Sequence, residues 1–271
     1  MNYLPPSAVL AALLAAAVSS HAATLCTVIA DAKDGKVLLE QGDCRTRVTP
    51  ASTFKIPLAL MGFDSGFLKD DHTPALPFRK GYPEWGGDDW RQPTDPERWL
   101  KSSVVWYSQQ ITHKLGAQRL TAYARDFGYG NADFAGDPGK NNGLERAWII
   151  SSLKISPLEQ VIFLRKLVNR QLPVTPHALD MVDRIVETRP LAGGYTAHGK
   201  TGMAYPRKAD GEFDMARAYG WFVGWATIGS QRVVFARLDQ DTQAHPTSVS
   251  VRARDALLAD LPSLLQQRSR Q

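Results

Sequence analysis

The sequence predicts an α+β fold: a central antiparallel sheet built from N- and C-terminal strands, flanked by helices and carrying a helical insertion. Three observations predict it. Strand-like segments sit at both ends of the chain, around Thr27-Val28-Ile29 and Lys36-Val37-Leu38-Leu39, and again from about residue 195. Helical periodicity occupies most of the middle, and one amphipathic helix closes the chain. The 271 residues are 44% hydrophobic and 22% charged, enough apolar material for a sizeable core.

The first 22 residues stand apart. An apolar run from Ala8 to Val18 is followed by Ser19-Ser20-His21-Ala22, with small residues at −1 and −3 of a cut after Ala22. That is the shape of a cleavable export signal, although no Lys or Arg precedes the apolar run. Residues 1–22 are therefore expected to be removed and the protein exported to the periplasm. Residues 23–271 then form a single domain, with sheet parts at about 23–50 and 193–271 and a helical part at about 63–190.

A turn at Lys33-Asp34-Gly35 makes the first two strands a hairpin. Folding near Gly35 pairs residues whose numbers sum to about 70, which brings Cys26 and Cys44 together. Export to an oxidising compartment favours their disulfide, worth about 3 kcal/mol by loop closure. Pro50 to Met61 reads as a helix start and a short apolar helix; Pro57 suits its first turn. Asp64 to Asp95, rich in Gly, Pro, Asp and Trp, reads as irregular chain. Helical patterns cover about 96–115, 117–127, 157–169 and 175–187, with Gly128 to Leu144 as a long loop. Tyr195 to His198, Ala218 to Trp225 and Val233 to Ala236 read as strands, the last two joined by a Gly229-Ser230 turn. The last helix covers about 248–268.

Composition also excludes. The net charge of +5 is dispersed, with no basic stripe, so nucleic acid is not an expected partner. No apolar run reaches the ~20 residues that span a bilayer, so no stable membrane anchor is expected. The six histidines show no ligand spacing, and no catalytic metal is expected. A monomer or a homodimer fits equally well.

Chemistry concentrates in three short segments. Ser52-Thr53-Phe54-Lys55 places a hydroxyl and an amine one helical turn apart, so the nitrogen can reach the oxygen. A serine hydroxyl is a weak nucleophile until a base takes its proton, and lysine is such a base only when burial lowers its pKa. Phe54, Ile56, Leu58, Leu60 and Val104-Val105-Trp106 can supply the apolar wall. Lys200-Thr201-Gly202, following a strand, offers a cation, a hydroxyl and a residue without Cβ, a combination suited to close docking of a carboxylate. Ser103 stands at an apparent N-cap before an apolar helical run.

Taken together, the chain resembles the class D β-lactamases, the oxacillinases. The resemblance rests on Ser52-Thr53-Phe54-Lys55, Ser103-Val104-Val105, Tyr129-Gly130-Asn131, Trp148, Lys200-Thr201-Gly202, Trp221-Phe222-Val223-Gly224-Trp225 and Arg252. It implies the fold of serine β-lactamases and penicillin-binding transpeptidases, and hydrolysis of β-lactams through an acyl-enzyme on Ser52. It implies that Lys55 is carbamylated by carbon dioxide or bicarbonate and acts as general base. It further implies oxyanion contacts from the Ser52 and Met203 N–H groups, with Gly202 beside them. Trp148 donates to the carbamate, Val105 forms its wall, Ser103 relays a proton, and Lys200 supports that relay. Thr201 and Arg252 receive the substrate carboxylate, with Arg254 the alternative to Arg252, and Tyr129 and Asn131 are wall and scaffold. A β-lactam-acylated sensor domain and a penicillin-binding peptidase are the alternative readings. The chain departs from the family at Ile149-Ile150, and in the long charged stretch from Pro206 to Asp214 that is expected to border the pocket.

Overall fold

The computed structural model describes residues 22–268. The expected leader, apart from Ala22, lies outside the described residues. Among the described residues, six strands, β1 (Ala23–Asp31), β2 (Val37–Gly42), β3 (Thr188–Pro190), β4 (Thr196–Ala204), β5 (Tyr219–Ile228) and β6 (Gln231–Gln240), form one antiparallel sheet in the order β2-β1-β6-β5-β4-β3. The N-terminal hairpin supplies β1 and β2. The C-terminal part supplies β4, β5 and β6. β1 closes on β6, joining the two ends of the chain in one sheet. The α+β architecture expected from the order of elements is the one observed.

Both faces of the sheet are covered, and the strands show it by alternation. On β5, Trp221, Val223 and Trp225 enter one buried cluster, while Phe222 and Ala226 enter the other. The first face carries the helical layer: α1 (Lys55–Asp64), α2 (Pro96–Lys101), α3 (Val105–Phe127), α4 (Gly143–Arg146), α5 (Pro157–Val168) and α6 (Pro176–Ile185). The second carries α7 (Val249–Arg268), which buries Leu257 and Leu261 against Phe222 and Phe235.

Several boundaries differ from the sequence reading, each for a local reason. The hairpin pairs Cys26 with Gly42, so paired numbers sum to 68 rather than 70, and Cys44 lies past the end of β2. Gly42, at φ +82°, turns the chain back, and Cys44 still forms its disulfide with Cys26 at a Cα separation of 5.1 Å. The expected helix over 96–115 is broken at Ser102–Val104, between α2 and α3. At Gly116 (φ +75°) α3 kinks instead of ending. β3 (Thr188–Pro190), inside the expected helical part, is a three-residue edge strand. It is too short to show a period of two.

Candidate active site

The site is built where the helical layer meets the open edge of β4. Ala51–Phe54 form a 3-10 turn that leads directly into α1. Ser52 sits in this turn and Lys55 begins the helix, which keeps the two side chains on one side. Lys55 Nζ donates to Ser52 Oγ at 3.2 Å. The lysine is fully buried, with Phe54, Ile56, Leu58, Val104, Val105 and Trp106 also buried in the same core. Burial holds its pKa well below 10.5, and the nearby charge of Lys200 lowers it further. Both effects act in the direction of the uncharged amine that the sequence requires.

β4 brings the second motif. Gly202 packs so tightly on the turn that a Cβ there would lie 2.9 Å from the Pro50 oxygen and 3.0 Å from the Ser52 and Thr53 nitrogens. Glycine is required by that approach. Lys200, two residues earlier on the same face, is buried, and burial brings its pKa down to about 8, with Glu187 opposing the shift. Its ammonium donates to the Thr201 carbonyl at 3.2 Å. β3 pairs only with residues 196–198 of β4, so the strand's edge is open beyond Gly199. Gly199 N–H points across this edge to the Glu187 oxygen, at 3.1 Å. The pleat repeats every two residues, so the Thr201 and Met203 N–H groups point the same way, into the open edge.

Ser103 lies in the break between α2 and α3 with φ +59°, a left-handed conformation for a residue with a Cβ. It is not the N-cap of α3; that position is taken by Val104. The break is held by Trp90 Nε1, which donates to the Ser102 oxygen at 2.9 Å, and by Val104 N–H, which reaches the Trp99 oxygen at 3.1 Å. Trp106 Nε1 donates back to the Trp90 oxygen at 2.8 Å.

Trp148 is buried and stacks on Phe54, the neighbour of Lys55, with ring centroids 5.6 Å apart. Its Nε1 is one of three buried side-chain nitrogens, among the described residues, without a hydrogen-bond partner. α3 anchors the short α4 that leads to it: Gln109 Nε2 donates to the Glu145 oxygen, and His113 pairs with the Glu145 carboxylate at 2.7 Å.

Tyr129-Gly130-Asn131 is the scaffold of this loop. Gly130, at φ +58°, lies where a Cβ would be 2.0 Å from the Lys154 oxygen. Asn131 Nδ2 donates to the Ser152 oxygen and its Oδ1 accepts the Lys154 N–H, each at 2.8 Å. The Tyr129 hydroxyl is buried and accepts from Gln160 Nε2 at 3.3 Å; burial pushes the phenol's pKa well up. Gln160 also donates to Thr53 Oγ1 at 3.0 Å. A lone glutamine in the apolar pattern of α5 carried no motif that would have singled it out.

At the rim, the Arg252 guanidinium pairs with Asp241 and donates to the Thr247 oxygen. It is the charge of Arg254, not Arg252, that bears on Lys200. Ser248, absent from the sequence reading, donates to Met203 Sδ at 3.2 Å. Tyr205, Pro206 and Arg207 border a cavity of about 790 Å³ that Thr49, Asn131 and Asp137 also line, and Ser52, Lys55, Ser103 and Lys200 are not among its lining residues. Arg207 bridges it to Asp137 at 3.3 Å.

Comparison with known proteins gives the same family. Residues 25–261 match the penicillin binding protein transpeptidase domain. The chain is 43% identical to β-lactamase OXA-9 of Klebsiella pneumoniae over 240 residues, covering 89% of this chain and 88% of that one. It superposes on the crystal structure of OXA-427 class D β-lactamase with a TM-score of 0.83 and 47% identity, covering 89% and 98% of the two chains. The chain belongs to the class D β-lactamases. The C-terminal domain of the Bacillus licheniformis BlaR penicillin-receptor is also similar, at 25% identity and a TM-score of 0.72, covering 90% and 89%. Within the class D family, the serine, lysine and Lys-Thr-Gly motifs fall on one site in this chain. Among the described residues, no group of three or more His, Cys, Asp or Glu side chains gathers to hold a metal.

Proposed function

We propose that this class D β-lactamase is exported to the periplasm after removal of residues 1–22 and hydrolyses penicillins of the oxacillin type through an acyl-enzyme on Ser52. The observation that carries the reading is the buried Lys55 amine 3.2 Å from the Ser52 hydroxyl, its pKa lowered by burial. Ser52 Oγ adds to the lactam carbonyl carbon while its proton leaves along the Lys55 contact. The Ser52 and Met203 N–H groups hold the carbonyl oxygen as it gains charge. The ring C–N bond breaks, and the nitrogen takes a proton through the Ser103 hydroxyl, which Lys200 supports electrostatically. Water then adds to the acyl carbon, its proton leaving on the Lys55 side, and as the C–Oγ bond breaks that proton returns to Ser52 Oγ along the same contact. Thr201 and a rim arginine, Arg252 or Arg254, receive the substrate carboxylate.

The pocket around Lys55 fits a lysine carbamate. A neutral amine is the form that reacts with carbon dioxide, and the unpartnered Trp148 N–H needs an acceptor. Lys55 would carry the group, Trp148 would donate to it and Val105 would wall it. Bound there, a carbamate would supply an anionic oxygen base in place of the amine nitrogen.

Similarity to the BlaR receptor supports a second reading, a sensor acylated once. Turnover of a chromogenic cephalosporin separates the two. The enzyme reading expects many product molecules per protein. A burst of one equivalent followed by a stable adduct refutes it in favour of the sensor.

A further inference from the structure

We propose that Gln160 is a positioning residue for the Ser52 nucleophile, acting by fixing the direction in which the Thr53 hydroxyl donates. The inference rests on the proposed nucleophilic role of Ser52. Gln160 is 107 residues from Thr53 in sequence, on α5, and is 1% exposed. Its Nε2 carries two protons; one goes to Thr53 Oγ1 at 3.0 Å and the other to the Tyr129 hydroxyl at 3.3 Å.

A hydroxyl has one proton and two lone pairs. With a lone pair of Thr53 Oγ1 taken by the amide, its own proton is left to donate, and the Pro50 oxygen receives it at 2.7 Å. The same oxygen accepts the Thr53 N–H at 3.2 Å. These two bonds close the turn around Ser52 and hold Ala51 at φ +50°, a conformation that a residue with a Cβ keeps only under constraint. The Pro50 oxygen is also one of the atoms against which Gly202 docks. Its orientation therefore sets both the nucleophile's backbone and the distance of the Lys200-Thr201-Gly202 strand from it.

Gln160, Thr53 and Tyr129 are all buried beneath the turn, so the effect passes through the backbone and not through substrate. The Thr53 and Tyr129 hydroxyls also hydrogen-bond each other, so an apolar side chain at position 160 would fill the space, remove the amide that donates to both, and free the Thr53 proton to turn from Pro50 toward Tyr129. A carboxylate there would draw the Thr53 proton away from Pro50. Only a donor at this position keeps the proton directed along the turn.

The test compares wild type, Gln160→Met, Thr53→Val, Thr53→Ser and the Gln160→Met/Thr53→Val double variant. Quenched-flow mass spectrometry reads the rate and penicillin dependence of adduct formation on Ser52. Gln160→Met and Thr53→Val are each expected to slow acylation at saturation by about tenfold or more, since a displacement near 1 Å costs up to about 10²-fold. The half-saturating concentration should move by less than about twofold. The double variant should be no slower than the worse single one, and Thr53→Ser should keep the wild-type rate. Acylation of Gln160→Met at the wild-type rate, or a double variant showing the product of the two losses, overturns the proposal. Should Gln160→Met fail to fold, equal rates for Thr53→Val and Thr53→Ser overturn it instead. Wild type that forms no adduct on Ser52 overturns the proposed function and this inference with it. An adduct on wild type with unimpaired Gln160→Met overturns this inference alone.

Discussion

Replacing Trp148 by Phe tests the Lys55 pocket from two directions. In the unmodified protein the buried Trp148 N–H has no partner, and an unmet buried donor costs about 1–3 kcal/mol. Trp148→Phe removes that donor and keeps a ring to stack on Phe54. With carbon dioxide rigorously excluded, the lost packing of the larger indole is therefore offset, and the variant's urea midpoint should fall little or not at all. With bicarbonate present, the same substitution removes a hydrogen bond to a charged acceptor, worth about 1.5–3 kcal/mol. Carbon dioxide retention should then weaken by about 10- to 150-fold. Because the change in packing is common to both conditions, the difference between them isolates the N–H. Carbon-13 NMR with labelled bicarbonate reads occupancy on Lys55, and activity against bicarbonate concentration reads its consequence. Equal half-saturation by bicarbonate in wild type and variant would refute the assignment of the Trp148 N–H to this group. It would leave the Ser52–Lys55 contact standing.

Two further outcomes follow from the geometry. Gly202→Ala places a methyl 2.9–3.0 Å from backbone atoms that cannot swing aside, so β4 must move away from the Ser52 turn. Acylation measured by adduct formation should drop by about tenfold or more, and a wild-type rate would show that the contact is slack. Lys200 has its pKa brought from 10.5 to about 8. Between those values the unfolded chain binds a proton that the native state has released, so native stability rises with pH across the window and the gain is absent below about pH 8. The shift corresponds to about 3 kcal/mol. Urea unfolding at pH 7, 9 and 10 should show part of that rise missing in Lys200→Met, and parallel curves for the two proteins would contradict it.

How much was legible beforehand depends on how far each feature reaches along the chain. The Ser52–Lys55 contact spans one helical turn, so spacing alone fixes it. The hairpin and the Gly229-Ser230 turn are equally local. The helix expected across 96–115 failed at Ser102–Val104 because the break is held from outside, by Trp90. Arg252 is drawn to Asp241, a partner that helical periodicity does not disclose.

The sequence by itself determined the alternation of strands and helices, the disulfide partners and the three segments that carry the chemistry, because each is written either in residues a few positions apart or within one hairpin, as for Cys26 and Cys44. Only the tertiary structure decided that Gly202 lies against Ser52, that β4 has an open edge beyond Gly199, and that Gln160 reaches Thr53. Those contacts join residues up to 150 positions apart. Their geometry is set by how the sheet, the helical layer and the loop between residues 128 and 155 fill one core, and packing is a property of the whole chain at once.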